Sequence, residues 1–172
     1  VTLSANAGAG KRSTFTSVWL DADDDGWPDL YVINELGANV LLRNEHNRTF
    51  SEIHVGPEFD GFTMGVAAGD VDGDGRIDLY LGNMFSKAGQ RIVANVPANA
   101  YPPELREKMR RFVAGNTLLL NRGNNQFEEV EAGVSAVGWA YGPALVDLDG
   151  DGFLDIHATC GFASFSRDEP DG

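Results

Sequence analysis

Cysteine is almost missing from this 172-residue chain: the single Cys160 cannot form an internal disulfide, so no crosslinked framework holds the fold, and the compartment is left open. No apolar stretch approaches the roughly 18 residues needed to span a bilayer as a helix. No signal peptide is visible, and Val1 in place of Met reads as a start that has been processed or trimmed. Positive charge is scarce, with 13 Lys and Arg against 26 Asp and Glu and a net charge of −13, which disfavours nucleic acid and anionic membranes as partners. The groupings that carry catalysis are missing too: there is no P-loop, dinucleotide fingerprint, zinc spacing or Ser/His/Asp set. What remains, 42% apolar and 23% charged, suffices for one globular unit with a sizeable core.

What is abundant is aspartate, in one pattern. Asp-x-Asp-x-Asp-Gly-x-x-Asp occurs at 21–29, 70–78 and 147–155, each time followed by a strand-like apolar run. Its twelve carboxylates contribute −12 of the net charge. Four carboxylates crowded into one short turn repel each other unless a cation lies between them. Hard oxygen donors suit Ca²⁺, and Gly26, Gly75 and Gly152 at the sixth position supply the sharp bend.

The expected ligands at positions 1, 3, 5 and 9 are Asp21, Asp23, Asp25 and Asp29 in the first loop, Asp70, Asp72, Asp74 and Asp78 in the second, and Asp147, Asp149, Asp151 and Asp155 in the third. The position-7 carbonyls of Trp27, Arg76 and Phe153 complete each set. Three bound Ca²⁺ ions would bring the net charge to −7. An EF-hand would place a Glu at position 12, where Val32, Leu81 and Ala158 stand instead. The bland alternative is a solvated hairpin turn, since Asp and Gly both favour turns.

The repeat extends beyond the loops. Asn39-x-Leu41-Leu42-x-Asn44 with Phe50 recurs as Asn116-x-Leu118-Leu119-x-Asn121 with Phe127, and each Phe stands 20 residues before the next loop. Period-2 and fully apolar runs mark four strands per unit. They are Phe15–Leu20, Leu30–Asn34, Asn39–Asn44 and Thr49–Val55, then Met64–Gly69, Leu79–Asn83, Asn116–Asn121 and Gln126–Val130. The expected fold is all-β: a partial β-propeller of four-stranded antiparallel blades, with calcium loops between first and second strands and one helical insertion.

Loops such as Asp70-Val-Asp-Gly-Asp-Gly-Arg-Ile-Asp78-Leu-Tyr, together with Asn121-Arg-Gly-Asn-Asn-Gln-Phe127, resemble the FG-GAP or VCBS repeats of integrin-alpha-type propellers. Within that family, Asn116–Gly123 and Gly138-Trp-Ala-Tyr-Gly142 are most similar to the cartilage-acidic-protein-like group. The resemblance implies a secreted or surface-exposed propeller, extracellular or periplasmic, whose loops hold Ca²⁺ structurally and which serves adhesion or assembly. Related propellers also occur in polysaccharide lyases, so a glycan-binding lectin or a lyase-type enzyme is the alternative to a non-enzymatic module. The expected partners are other blades of the parent protein, other protein chains, or glycans.

Aligning the units divides the chain into residues 1–13, the last strand of a preceding blade and a linker; 14–55, a blade; 56–131, a blade carrying the insertion at 84–114; and 132–172, a partial blade. Two full blades flanked by partial ones suggest a fragment or a protomer completed by other chains. In the insertion, Pro103–Phe112 reads as a helix opened by Pro103 and stopped at Gly115. Its stripe of Leu105, Met109 and Phe112 either covers its own blade, the favoured reading, or docks a partner or acidic glycan through the only basic spot in the chain, Arg106, Lys108, Arg110 and Arg111.

His157 falls in the slot of Tyr31 and Tyr80 and reads as a packing position. Cys160 falls in that of Asn34 and Asn83 and reads as a small buried residue. His46 and His54 stand beside no recognisable nucleophile. Asn47-Arg48-Thr49 is a glycosylation sequon in a turn, where a plain turn-forming Asn is the favoured reading. Trp19, Trp27 and Trp139, with Tyr31, Tyr80 and Tyr141, read as inter-blade core rather than a sugar platform.

Overall fold

The computed structural model describes residues 12–55 and 62–160. The expected strand at Val1–Ser4 and the last dozen residues lie outside that range.

Each repeat unit folds as an antiparallel sheet in simple sequence order. The first holds β1 (Ser13–Leu20), β2 (Asp29–Leu36), β3 (Val40–Asn44) and β4 (Phe50–Ile53). The second holds β5 (Thr63–Gly69), β6 (Asp78–Asn83), β7 (Thr117–Asn121) and β8 (Phe127–Val130), and the third contributes β9 (Ala140–Val146) paired with β10 (Asp155–Cys160). Each aspartate loop joins the first strand of a sheet to the second. These are β-propeller blades set side by side, with β5 packed against β1 and β2 on one side and β9 on the other.

Strand alternation builds the core. Side chains one residue apart point to opposite faces, so Tyr31, Ile33 and Leu41 leave one face of the first blade to meet Leu79, Leu81 and Leu119 of the second, all at 0% exposure. Val32, Val40 and Leu42 cluster on the opposite face with Leu30 and Phe50. In the second blade Tyr80 takes the role of Tyr31: it is fully buried, donates its hydroxyl to the Val134 carbonyl and accepts from Asn116 Nδ2 at 2.7 Å.

A second repeated device lies at the end away from the aspartate loops. Asn34 N–H donates to Asn39 Oδ1 and Asn83 N–H to Asn116 Oδ1, while Thr14 and Thr63 donate to Asn34 and Asn83. Asn39 Nδ2 crosses to Thr63 Oγ1, tying the two blades at 3.1 Å. The recurring Asn39 and Asn116 thus satisfy buried backbone where strands two and three connect.

Several expected burials are corrected. Trp19 is 58% exposed because it shares the Leu30 face of the first blade, against which no further sheet lies among the described residues. Trp27 sits in a loop, stacked on His46 with centroids 5.2 Å apart, and Trp139 and Tyr141 are also exposed. His157 and Cys160 are exposed on β10, which has no third strand beside it among the described residues, so the slots that bury Tyr31, Tyr80, Asn34 and Asn83 are left uncovered there.

The insertion carries two helices, not one: α1 (Lys87–Ala94) and α2 (Pro103–Arg111). The first is opened by Ser86, whose side chain accepts from Gly89 N–H, and it buries no residue. The second begins at Pro103 as expected but covers its blade only at its base. Phe112 packs on Phe62 at 5.0 Å and Arg111 pairs with Glu129 at 2.6 Å, whereas Leu105 is 41% exposed.

The second and third blades approach closely enough to require glycine. A Cβ on Gly65 would lie 2.4 Å from Pro143 Cδ and 2.6 Å from the Tyr141 carbonyl, and one on Gly82 would lie 2.8 Å from the Ala140 carbonyl. Replacing Gly65 by Ala forces the blades apart and should lower stability by about 1–3 kcal/mol, read as a lower urea midpoint with an unchanged slope.

Candidate metal centres

The three loops take one conformation because their sequence leaves little choice. Gly26, Gly75 and Gly152 hold φ of 85°, 89° and 93°, with open space around each, so backbone conformation alone demands glycine at the sixth position. The fourth position is left-handed as well, at Gly73, Gly150 and Asp24 (φ 60°), a conformation that Asp tolerates.

Backbone amides then orient the carboxylates. Asp21 accepts from Asp25 and Gly26 N–H, Asp70 from Gly73, Asp74 and Gly75, and Asp147 from Gly150, Asp151 and Gly152. At position 9, Asp29, Asp78 and Asp155 accept the N–H of position 2, from Ala22, Val71 and Leu148, at 2.9–3.1 Å. Asp29 and Asp78 also accept from Asn44 and Asn121 N–H at 2.7 and 2.8 Å, which fixes each loop to the third strand of its own sheet.

The result is three groups, Asp21/Asp23/Asp29, Asp70/Asp72/Asp78 and Asp147/Asp149/Asp155, whose offered oxygens lie within 4.8 Å of one another and could hold a metal ion. A carboxylate oxygen that accepts one N–H keeps a lone pair for a second partner. At position 5, Asp25, Asp74 and Asp151 each turn Oδ1 back to the N–H of position 7, at 2.8–2.9 Å. The position-7 side chains do unrelated things: Trp27 stacks on His46, Arg76 Nε donates to the Asn121 carbonyl, and Phe153 is exposed.

In the first two groups, burial and neighbouring carboxylates both disfavour the charged form of the position-9 aspartate. Burial, against the N–H donors of Asn44 and Ala22 and aided by the charges of Asp23 and Asp25, holds the Asp29 carboxyl above the usual carboxylate range. Asp78 is raised in the same way by burial and by Asp72 and Asp74. Asp23 departs in the other direction: burial raises it, but hydrogen bonds from Arg43 and Asn125 outweigh that and lower it. Arg43 Nε lies 2.7 Å from Asp23 Oδ2, and Arg122 lies 3.3 Å from Asp72. One guanidinium against three carboxylates still leaves room for a divalent cation, which would reverse the upward shifts.

The donor set passes a second check. Asp23 has a side chain only 9% exposed, and its Oδ1 is shielded from solvent with no hydrogen-bond partner. A buried anionic oxygen left bare is costly, and a cation in the carboxylate group is the partner that geometry offers it.

Asn44, Asn121 and Arg43 escaped assignment to the site from sequence. The recurrence of the two asparagines was visible, but their bonds to Asp29 and Asp78 depend on the β2–β3 and β6–β7 pairing. Replacing Asp78 by Ala would strand the Val71 and Asn121 amides, at about 1–3 kcal/mol for each donor left unpaired. That loss should appear in urea unfolding even with chelator present, separating the anchoring role of the carboxylate from metal binding.

Among the described residues no helix is long and apolar enough to cross a membrane. A search of curated proteins returned no match. The sequence profile of the FG-GAP-like repeat matches residues 21–81 and 111–158, spanning all three aspartate loops and the strands from β2 onward, and leaving out β1 and most of the insertion. Loop, blade and profile coincide, and the chain belongs to the FG-GAP-like repeat family.

Proposed function

We propose that this chain is a calcium-clamped propeller segment that works outside the cell as a structural or interaction module, without catalysis of its own. The observation that carries the reading is the convergence of positions 1, 3 and 9 into the same carboxylate group at the same joint of three successive sheets. Turns selected only for solubility have no need to aim three acids at one point.

In each loop the carboxylates of positions 1, 3, 5 and 9 and the carbonyl of position 7 would hold the ion, with blades bounded as 14–55, 56–131 and 132–172. Calcium when bound supplies charge neutralisation and a fixed hairpin geometry. The chain supplies the rest: backbone amides preset Asp21, Asp70 and Asp147, Asn44 and Asn121 tie Asp29 and Asp78 to the third strand, and Arg43 and Arg122 limit residual repulsion. Kinship within the family to the cartilage-acidic-protein-like group, on residues 116–123 and 138–142, fits an assembly role. Expected site affinities are on the order of 10⁻⁴ to 10⁻³ M, which suits an extracellular setting.

Glycan binding is the second reading, favoured by the exposure of Trp19, Trp27, Trp139 and Tyr141 at 37–58%. Binding on a glycan array without turnover would support it; turnover of an acidic polysaccharide would favour a lyase instead.

Chelation should lower the melting temperature of the protein by several degrees, as expected when a ligand bound only by the folded state is removed. Added Ca²⁺ should restore it, and Mg²⁺, which demands a smaller octahedral site, should not. A melting temperature indifferent to both chelator and Ca²⁺ would exclude the clamp.

A further inference from the structure

The first loop is held by more than its own hairpin. From the second blade, Asn121 Nδ2 donates to the Ala22 carbonyl at 3.0 Å, and Asn125 Nδ2 donates to Asp23 Oδ2 at 3.1 Å. Asn125 stands in the turn between β7 and β8, 102 residues along the chain from Asp23. Its own Oδ1 is shielded from solvent and accepts no hydrogen bond, and the same holds for Asp23 Oδ1.

Two buried oxygens without donors on two residues in direct contact are more informative than either alone. Both atoms are acceptors, so neither can satisfy the other. Arg43 approaches Asp23 through Oδ2, the oxygen that Asn125 Nδ2 also uses, which leaves Oδ1 to another partner. A hard cation is a partner both can share, since it takes carboxylate and amide carbonyl oxygens alike.

We propose that Asn125 Oδ1 is a ligand of the cation at the first loop, so that this ion is shared between two blades rather than enclosed by one hairpin. The proposal rests on the metal reading of the loops and adds to it a residue from outside the loop. Asn125 holds a left-handed backbone, φ 60°, which asparagine tolerates. At the equivalent place in the first blade stands Arg48, which has no acceptor to offer. Loading of the first loop would therefore set the junction between the first and second blades, and not only the shape of one turn.

Terbium, a luminescent stand-in for Ca²⁺, tests this. Trp19 precedes the first loop and Trp27 lies within it, so emission excited through tryptophan reports chiefly on that site. Asn125→Ala should weaken terbium binding there by about tenfold. Emission lifetimes in light and heavy water should show about one additional bound water, filling the vacated coordination position. Asn125→Asp, which keeps an oxygen donor, should retain both the affinity and the water count of the wild type.

An unchanged affinity and water count in Asn125→Ala would overturn the proposal while leaving the loop metal sites intact. Equal damage from Asn125→Ala and Asn125→Asp would also overturn it, by showing that the amide acts as a donor to Asp23. Wild-type protein that gives no sensitised emission would refute the metal reading itself, and the shared site with it.

Discussion

Mutual repulsion among carboxylates is the constraint around which this fold is arranged. Three acids whose oxygens lie within 4.8 Å of one another stand at the hairpin end of each sheet. Glycine bends, backbone amides, paired asparagines and two arginines all act to hold them there. The hydrophobic core is ordinary by comparison: Leu, Val and Tyr alternate along strands and meet the next blade. A propeller can close around such a core without aspartate loops, so the persistence of the loops points to a role for the charge itself.

The molecule divides its polar work between two ends. At the loop end, anions are oriented by N–H groups and by neighbouring strands. At the other end, Asn34, Asn39, Asn83 and Asn116 satisfy strand connections with neutral amides, and Asn39 carries the network across to Thr63 of the next blade. Contact between the first and second blades thus has three parts: the Leu/Tyr core, the neutral amide bridge, and the first loop's bonds to Asn121 and Asn125. Of these, the last lies against the carboxylate group of the first loop.

Much of this was legible in the sequence. The glycine at position 6 and the spacing of the aspartates determine a local turn, and the eight strands of the first two blades follow from alternation, so both could be read without tertiary knowledge. What could not be read depended on neighbours. Trp19 and Tyr31 look equally like core residues in the sequence, yet one is 58% exposed and the other fully buried, because among the described residues only the Tyr31 face meets another blade. Cys160 and His157 fall in slots that are buried elsewhere, and they are exposed where no third strand pairs with β10 among the described residues. The helix α1 was missed although Ser86 caps it, because it is only eight residues long and buries none of them. The contact of Asn125 with Asp23 exists only once two blades are packed.

Anomalous diffraction from crystals grown in millimolar Ca²⁺ is the most direct test of the central interaction. Peaks bounded by the carboxylates of Asp21, Asp23 and Asp29 and of their counterparts in the other loops are the expected result. Hairpin bends with this geometry and no peak, with Arg43 still seated on Asp23, would show that the carboxylates are balanced by the protein alone and would contradict the cation-held arrangement.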